Sequence, residues 1–323
     1  MTVTSQDTQF YLEKYFQAIN YHSLNSVHIK NNHKIFVSLA TYRDPQCALT
    51  LSSLINNAAK PEQLVIVICQ QNDDKDEDCL NSKMDLKGAT IKVLRLHFTE
   101  AKGPCWARFL IQQEWQGEEY YLQIDSHMRF VKNWDQKCKY ELTLCPEKSC
   151  LSNYVSNYNI VNGSLDENPL RGPMYKGKEI FSGIFSYESD YIQNLISPTE
   201  SKGYSACFSF SKSNILHDAP YDPYTPFLFF GEEMDMHVRL FTHGWGLYVP
   251  SQPICFTTFN RLYRKTFWED HLAYCDQVAL LSRTRLNYRF GRVANCHELL
   301  TNGLEDYSLG SIHTFTEFIQ NCI

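Results

Sequence analysis

The chain of 323 residues is predicted to have an α/β fold, with a doubly wound, mainly parallel sheet and a smaller mixed region. Short, almost wholly apolar runs of strand length recur in the first half, as in parallel strands that are buried on both faces. Segments with helical spacing separate these runs, which is typical of α/β proteins. Polar clusters follow three of the runs directly, where such sheets bind ligands. The length suits one large domain or two smaller ones that share a core.

The first half of the chain follows the order strand, helix, strand, loop, strand, helix, strand. The run KIFVSLATYRD is apolar until it meets a polar turn, and Pro61 ends the helix that follows it. A charged segment, DDKDEDCLNSKMDLKG, forms the solvated loop between the second and third strands. Strands are predicted at 34–44, 64–73, 91–98 and 119–127, and helices at 8–20, 46–58 and 103–115.

The second half of the chain has a weaker pattern. Residues 151–230 are richer in Asn, Ser, Tyr, Gly and Pro, which favours a smaller, partly antiparallel region built onto the sheet. Residues 227–245 predict a strand edge that leads through Gly231 into a helix with an acidic start. Residues 262–323 are predicted to be mostly helical. Further short strands are predicted at 179–187, 204–212, 246–250 and 253–259.

Charge and targeting signals exclude several classes of protein. The net charge is −6 with both signs mixed, which disfavours nucleic acid or an anionic membrane as the main partner. No Gly-rich dinucleotide or P-loop motif occurs. The N-terminus lacks the features of a signal peptide, and no run approaches the roughly 20 apolar residues that span a bilayer. We therefore expect no membrane span, a cytoplasmic location and reduced thiols at the twelve scattered cysteines.

The run YLQIDSHMRF leads a buried strand directly into a carboxylate and an imidazole, at Asp125 and His127. Ligands at positions i and i+2 beyond a strand end can point to one ion. This pair suits Mn²⁺ or a similar cation that holds a diphosphate. The alternative is a turn Asp followed by a surface His, which is frequent for so short a motif. Its position at the carboxyl end of a parallel strand favours the metal site.

Two further segments supply candidate phosphate contacts. In TYRD, Arg43 offers a bidentate fork to a phosphate, and Asp44 is placed to meet a nucleoside. The alternative for this segment is a surface ion pair, or a helix N-cap formed by Asp44. In KGPCWAR, Gly-Pro opens a helix whose free N–H groups favour an anion, and Arg108 follows on the same helix. The alternative here is a capped helix without a ligand.

The segment FFGEEMD places a glycine before a group of carboxylates. Gly231 lets the chain approach a ligand closely, so that Glu232 or Glu233 could face a sugar hydroxyl or the acceptor. The alternative is a helix start whose acidic residues, Asp235 included, complement the helix dipole. The sequence leaves both interpretations open at this point.

Taken together, FVSLATYRD…C, KGPCWAR, YLQIDSHMRFVKNWD and FFGEEMDM resemble the motifs of glycosyltransferase family 60, over about residues 34–270. The best-known members of this family add N-acetylglucosamine, in α linkage, to hydroxyproline on a cytoplasmic adaptor subunit of ubiquitin ligases. The resemblance implies a GT-A fold, a UDP-sugar donor such as UDP-GlcNAc, and a divalent cation, Mn²⁺ or Mg²⁺. It also implies a protein acceptor, with hydroxyproline or Ser/Thr as the acceptor residue, and retention of anomeric configuration.

The resemblance also assigns roles to individual residues. Asp125 and His127 match the family's variant of the DxD motif, which binds the metal and the diphosphate. Thr41, Arg43 and Asp44 match the segment expected to meet the uridine. Glu232 and Glu233 match the acidic pair near the acceptor. We therefore expect the metal ligands to be Asp125 and His127, the catalytic residues to be Asp125, Glu232 and Glu233, and the donor-binding residues to be Thr41, Arg43, Asp44, Arg108, Asp125 and Ser126.

The chain is predicted to consist of four parts. Residues 1–33 are an N-terminal helix and loop, and 34–150 form the half that binds the nucleotide sugar. Residues 151–260 form the half that binds the acceptor, and 261–323 are a helical C-terminal extension.

One departure from the family concerns the third metal ligand. Family members tend to have a His in the strand that follows the GW…P segment, whereas this chain has Thr257 and Thr258 there. His243 and His271 are candidate substitutes, although neither lies at the expected place. A catalytically silent protein that binds a UDP-sugar or a peptide therefore remains the alternative to an enzyme. A metal-dependent hydrolase of nucleotide diphosphates would need a general base that the sequence does not identify.

Overall fold

The computed structural model describes residues 5–164, 170–181, 183–193 and 195–322. Within these residues the centre of the molecule is an eight-stranded mixed sheet. The strands are β1 Ile35–Tyr42, β2 Leu64–Asn72, β3 Thr90–His97, β4 Tyr120–Asp125, β5 Met128–Phe130, β6 Ser149–Ser152, β7 Ser156–Asn157, β8 Leu170–Arg171, β9 Tyr175–Phe181, β10 Ile184–Glu188, β11 Tyr191–Ile192, β12 Thr199–Glu200, β13 Phe208–Lys212, β14 Gly246–Val249 and β15 Cys255–Thr257.

Four strands from the first half of the chain form the parallel part of the sheet. β1 lies between β2 and β4, and β2 pairs on its other side with β3. In this register Leu39 is opposite both Ile68 and Ile124. The parallel strands therefore end at one edge, where the polar clusters of the sequence come together. The predicted order of strands and helices in this half is confirmed, with boundaries shifted by one to three residues.

The second half of the chain extends the same sheet with mixed pairing. β13 is antiparallel to both β4 and β6, β14 is parallel to β6, and β12 is antiparallel to β14. The predicted partly antiparallel region is therefore present and is continuous with the parallel strands. A separate three-stranded sheet, in the order β5-β15-β7, brings Thr257 opposite Met128, just after His127.

Helices cover both faces of the sheet. Successive side chains of a strand point to opposite faces, so Val37 packs with α2 and α4 on one side while Phe36 packs with α3 and α6 on the other. None of the helices in the described part of the chain has the length and apolar character that spanning a bilayer requires. The helices are α1 Ser5–Tyr15, α2 Cys47–Asn57, α3 Pro104–Gln112, α4 Trp134–Thr143, α5 Ile215–Asp218, α6 Glu232–Thr242, α7 Phe267–Asp270, α8 Cys275–Arg289 and α9 Phe315–Cys322.

Three local predictions are wrong. The strand predicted at 179–187 is a hairpin of β9 and β10 around positive-φ Gly183, and residue 182 of this prediction lies outside the described residues. The strand edge predicted before Gly231 is irregular, because Phe227 has a left-handed backbone and donates its N–H to the Lys102 carbonyl. α1 ends at Tyr15, five residues before its predicted end.

The expectation of reduced thiols throughout is also wrong for one pair of cysteines. Cys47, at the start of α2, forms a disulfide with Cys79 in the loop that follows β2, with Cα atoms 5.1 Å apart. The other cysteines are free, and most of them are buried. The disulfide ties the charged loop to the segment that follows β1.

Candidate active site

A cavity of about 400 Å³ opens at the carboxyl ends of β1 and β4. One wall comes from the parallel strands, and the opposite wall comes from the start of α6 and the segment 257–268. Ligands of open α/β sheets bind at this edge. Most of the residues predicted from the sequence line this cavity, namely Thr41, Arg108, Asp125, Ser126, His127, Glu232 and Glu233.

Asp125 and His127 lie together at the end of β4. Asp125 is the last residue of the strand, and the turn that follows directs His127 back towards it. Asp125 Oδ2 is 3.7 Å from His127 Nε2. The other ring nitrogen, Nδ1, is 2.9 Å from Asp44 Oδ2. The turn thus brings a carboxylate oxygen and an imidazole nitrogen to one side of the cavity.

The carboxylate of Asp44 is buried behind this pair rather than exposed in the cavity. It accepts hydrogen bonds from Ser126 Oγ at 2.7 Å and from the Tyr263 hydroxyl at 3.1 Å. Burial opposes its charge, but its interactions with His127, Arg264 and Ser126 lower the pKa of Asp44 to about 2. Asp44 is therefore a buried acceptor for side-chain donors from two separate segments, those after β4 and after β15.

Arg108 connects the two walls of the cavity from α3. This helix starts at Gly103, whose φ of +87° lets the chain pass close to Phe227. The Arg108 guanidinium forms ion pairs with Glu232 and, at 3.0 Å, with Asp125 Oδ1. Although burial opposes the charge, Tyr221 and Asp125 hold the pKa of Arg108 above its ordinary value. Arg108 is thus a fixed positive charge beside Asp125.

Glu232 is buried and Glu233 is partly buried at the start of α6, and each is already hydrogen bonded. Glu232 pairs with Arg108 and accepts from the Tyr221 hydroxyl at 2.8 Å. Glu233 accepts from the Tyr154 hydroxyl at 2.7 Å and from the Ala206 N–H at 3.0 Å. Burial raises the pKa of Glu233, and the charge of Asp125 adds to this effect.

Of the candidate donor-binding residues at the end of β1, Thr41 faces the cavity whereas Arg43 does not. Thr41 lines the cavity, and its buried Oγ1 lacks a hydrogen-bond partner within the described structure, as does Oε1 of Gln71 beside it. Arg43 does not line the cavity. Its guanidinium lies 4.5 Å from the centre of the Phe98 ring and pairs with Asp76 at 2.9 Å and with Asp270 at 3.1 Å.

Neither candidate substitute for a third metal ligand, His243 or His271, lines the cavity. Thr257 lines the cavity, whereas His271 is hydrogen bonded to Phe98 O and Tyr274, and His243 to Arg239 O. Within the described residues no group of three or more His, Cys, Asp or Glu side chains is placed to hold a metal ion.

The donor atoms present nevertheless fit a divalent cation. Asp125 and His127 supply the oxygen and nitrogen ligands that Mn²⁺ accepts. The other nitrogen of His127 is held by a carboxylate, as is usual for metal-binding histidines. The remaining coordination positions would fall to phosphate oxygens and water.

The sequence interpretation missed the basic segment NRLYRK, residues 260–265. Arg261 and Arg264 line the cavity, and Tyr263 and Arg264 contact the buried Asp44. The sequence does contain a signal for this segment, because three cationic side chains lie close to a tyrosine within six residues. The segment lies far from the strand ends in sequence, so the pattern gave no reason to place it there.

Aromatic side chains surround the mouth of the cavity. Phe230 is partly exposed and stacks on Trp268 with ring centroids 6.5 Å apart. Phe229 packs edge-on against Trp268 at 4.7 Å, and Phe259 is also exposed. The guanidinium of Arg261 lies 5.1 Å from the centre of the Phe229 ring. This mouth, formed by Phe229, Phe230, Phe259 and Trp268, offers flat apolar surface next to the charged site.

A solved structure shares this architecture. GalNAc-T7 with UDP, GalNAc and Mn²⁺ superposes with a TM-score of 0.63 over 99% of this chain, at 13% identity. This chain spans 66% of the length of that structure. S. aureus TarS in complex with UDP-GlcNAc gives a TM-score of 0.47 at 14% identity, covering 80% of this chain and 73% of TarS. The mannosyltransferase PcManGT from Pyrobaculum calidifontis, with GDP-Man and Mn²⁺, gives a TM-score of 0.47 at 9% identity. The superposition covers 92% of this chain and 75% of PcManGT.

The fold is therefore that of the GT-A glycosyltransferases. Among curated proteins, none matches the chain. The model of the family Glycosyltransferase (GlcNAc) matches residues 34–86 and 81–320, which is most of the sequence. The chain belongs to this family of glycosyltransferases.

Proposed function

We propose that the chain is a family 60 enzyme that moves a sugar, N-acetylglucosamine in the first instance, from a UDP-sugar to a protein hydroxyl. The acceptor residue would be hydroxyproline, Ser or Thr, and the reaction would need Mn²⁺ or Mg²⁺. The proposal rests mainly on one observation: Asp125 and His127 lie side by side in the cavity. The match to the glycosyltransferase family model supports it. The word GlcNAc in the family description supports the choice of sugar.

The donor would bind along the strand ends. Asp125 and His127 would hold the cation, which supplies positive charge to the diphosphate as it leaves. Arg261 and Arg264 line the cavity and would contact the phosphates, where guanidinium groups form strong charge-assisted hydrogen bonds. Unpartnered Oγ1 of Thr41 would face the uridine, because a buried polar atom is stabilised by a hydrogen bond from a ligand.

The transfer step would retain the anomeric configuration by attack on the face from which the diphosphate leaves. The bond from the anomeric carbon to the phosphate oxygen breaks, and a bond to the acceptor oxygen forms on the same face. The acceptor proton passes to the leaving phosphate oxygen. Glu232 is engaged by Arg108 and Tyr221, which argues against a covalent intermediate on this carboxylate. Glu232 and Glu233 would instead orient the sugar or the acceptor.

The donor requirement is tested by offering the purified chain UDP-GlcNAc, UDP-GalNAc, UDP-glucose and UDP-galactose, and measuring UDP release. We expect fastest release from UDP-GlcNAc with Mn²⁺, loss of release with EDTA, and recovery when Mn²⁺ is added back. Transfer to synthetic peptides centred on hydroxyproline, Ser or Thr is then followed by mass spectrometry, with the linkage determined by NMR. A β linkage in the product would contradict the retaining mechanism.

The catalytically silent alternative is motivated by Thr257 at the position where the family tends to have a histidine. That alternative predicts binding of UDP with Mn²⁺ in calorimetry, but no UDP release from any of the four sugar nucleotides. Binding together with Mn²⁺-dependent release would exclude it. No binding at all would contradict both candidate functions.

Changing Phe230 to Ala tests whether the acceptor approaches over the aromatic mouth. We expect a roughly 5-fold loss of kcat/KM for the modified peptide, because an aromatic contact at an interface contributes on the order of 1 kcal/mol. UDP release in the absence of peptide should be unchanged. Tyr140→Ala is the matched control, since Tyr140 is an exposed aromatic side chain on α4, away from the cavity. Equal peptide kinetics in wild type and F230A would place the acceptor elsewhere.

A further inference from the structure

We infer that Asp44 is a positioning residue, whose carboxylate holds His127 in the tautomer that leaves Nε2 free to bind the divalent cation. This inference rests on the proposed function, since it concerns the same metal site. It gives Asp44 a role different from the uridine contact that the sequence resemblance implies.

The first step concerns the direction of the hydrogen bonds. Asp44 Oδ2 is 2.9 Å from His127 Nδ1 and 2.7 Å from Ser126 Oγ, and Oδ1 accepts from the Gln46 N–H at 2.9 Å. The Tyr263 hydroxyl is a further donor, at 3.1 Å. A carboxylate surrounded by donors acts only as an acceptor, so the proton between Asp44 and His127 belongs to Nδ1.

The second step concerns the other ring nitrogen. A neutral imidazole carries one N–H, so a proton on Nδ1 leaves Nε2 with a free lone pair. Nε2 is the atom that faces Asp125, 3.7 Å from Oδ2. In this tautomer His127 presents the Nε2 lone pair towards the carboxylate with which it would share an ion.

The third step concerns the rigidity of this arrangement. The Asp44 side chain has no exposed surface, and that of His127 is 6% exposed. The two carboxylate oxygens of Asp44 are hydrogen bonded to residues from three segments. These are Gln46 after β1, Ser126 and His127 after β4, and Tyr263 after β15. Ring rotation would break the contact with Asp44 and leave a buried carboxylate without one of its donors.

Removing such a supporting partner typically weakens metal binding 10- to 100-fold. We therefore expect Asp44→Asn to weaken Mn²⁺ binding by about 10- to 100-fold at saturating UDP, measured by EPR titration. UDP binding in EDTA should be unchanged, because Asp44 acts on the metal ligand and not on the nucleotide. A fall in metal-free UDP affinity with unchanged Mn²⁺ affinity would overturn the inference in favour of a uridine contact.

Asp135→Asn is the matched control. Asp135 is equally buried and accepts hydrogen bonds from the backbone N–H groups of Ala59 and Lys60, away from the cavity. We expect this variant to bind Mn²⁺ and UDP like the wild type. An equal loss of Mn²⁺ affinity in both variants would show a general effect of losing a buried carboxylate and would overturn the inference.

A double-mutant cycle separates positioning from direct action. If Asp44 works through His127, then D44N should weaken Mn²⁺ binding in the wild-type background and have no further effect in a His127→Ala background. Independent, additive losses would overturn the inference.

The tautomer can also be read in the wild-type chain, which keeps the inference testable if D44N fails to fold. In a sample with ¹⁵N-labelled histidine that is saturated with Mg²⁺ and UDP, we expect the His127 proton on Nδ1 and none on Nε2. The signals are assigned by their loss in H127A. A proton on Nε2 would overturn the inference. Failure of the wild-type chain to bind Mn²⁺ would instead contradict the metal dependence of the proposed function.

Discussion

Changing Asp125 to Ala is expected to lower kcat/KM for sugar transfer by about 10³-fold, because the cation and the leaving diphosphate lose their carboxylate ligand. Asp125 is also the link between the proposed metal site and Arg108, through the 3.0 Å contact at Oδ1. The measurement is UDP release and peptide modification with saturating Mn²⁺. Binding of Mn²⁺ in the presence of UDP should weaken in parallel.

A matched control for this variant is Asp218→Ala. The side chains of Asp218 and Asp125 are similarly exposed, at 26% and 24%, and each is paired with a cationic residue. Asp218 pairs with Lys148, away from the cavity, so its loss should leave kcat/KM within about twofold of the wild type, as expected for an exposed surface pair. Wild-type turnover in D125A would refute the assignment of the metal site.

Changing Arg108 to Met is expected to lower the free energy of unfolding by about 3–5 kcal/mol, because two carboxylates lose their buried partner. The Arg108 and Glu232 side chains are each 4% exposed, so neither charge can be stabilised by water instead. Urea denaturation followed by circular dichroism measures the effect. Transfer activity should also fall at temperatures where the variant is still folded, because Arg108 fixes the Asp125 carboxylate.

Two further variants test whether the unpaired buried charge causes the loss of stability in R108M. Arg95→Met removes an ion pair with Asp78 in which both side chains are about half exposed, and should lower stability by no more than about 1 kcal/mol. The double variant R108M/E232Q should recover part of the loss, since the glutamate no longer carries an unpaired charge. If R108M unfolds at the same urea concentration as the wild type, this ion-pair network does not stabilise the fold.

Much of the fold could be predicted because its signals are local. A strand buried on both faces needs a run such as IFVSLATY, and parallel strands need a crossover connection, which is a helix after β1 and after β3 and a loop after β2. The polar residues at the ends of β1 and β4 follow from the same runs, which explains why Thr41, Asp125 and His127 were found. The irregular segment at Phe227 was missed because its left-handed backbone is set by contact with α3, not by its own apolar residues.

The partners of the site residues could not be predicted in the same way. Arg43 was expected at the donor, yet its guanidinium is held by Asp76 and Asp270. Asp44 was expected at the uridine, yet its carboxylate is buried against His127 and Tyr263. In both cases a side chain of the right type lies at the right strand end, and residues distant in sequence decide which way it points.

Local pattern was therefore sufficient for the class of fold, for the edge of the sheet at which the site lies, and for the two candidate metal ligands. Backbone conformation and apolar burial depend mainly on neighbouring residues, and they repeat along a strand or helix. Only the folded chain decided that Arg108 joins Glu232 to Asp125, that Asp44 supports His127, and that residues 260–265 close the cavity. These contacts join segments up to 219 residues apart, and a hydrogen bond at that separation depends on the path of the whole chain.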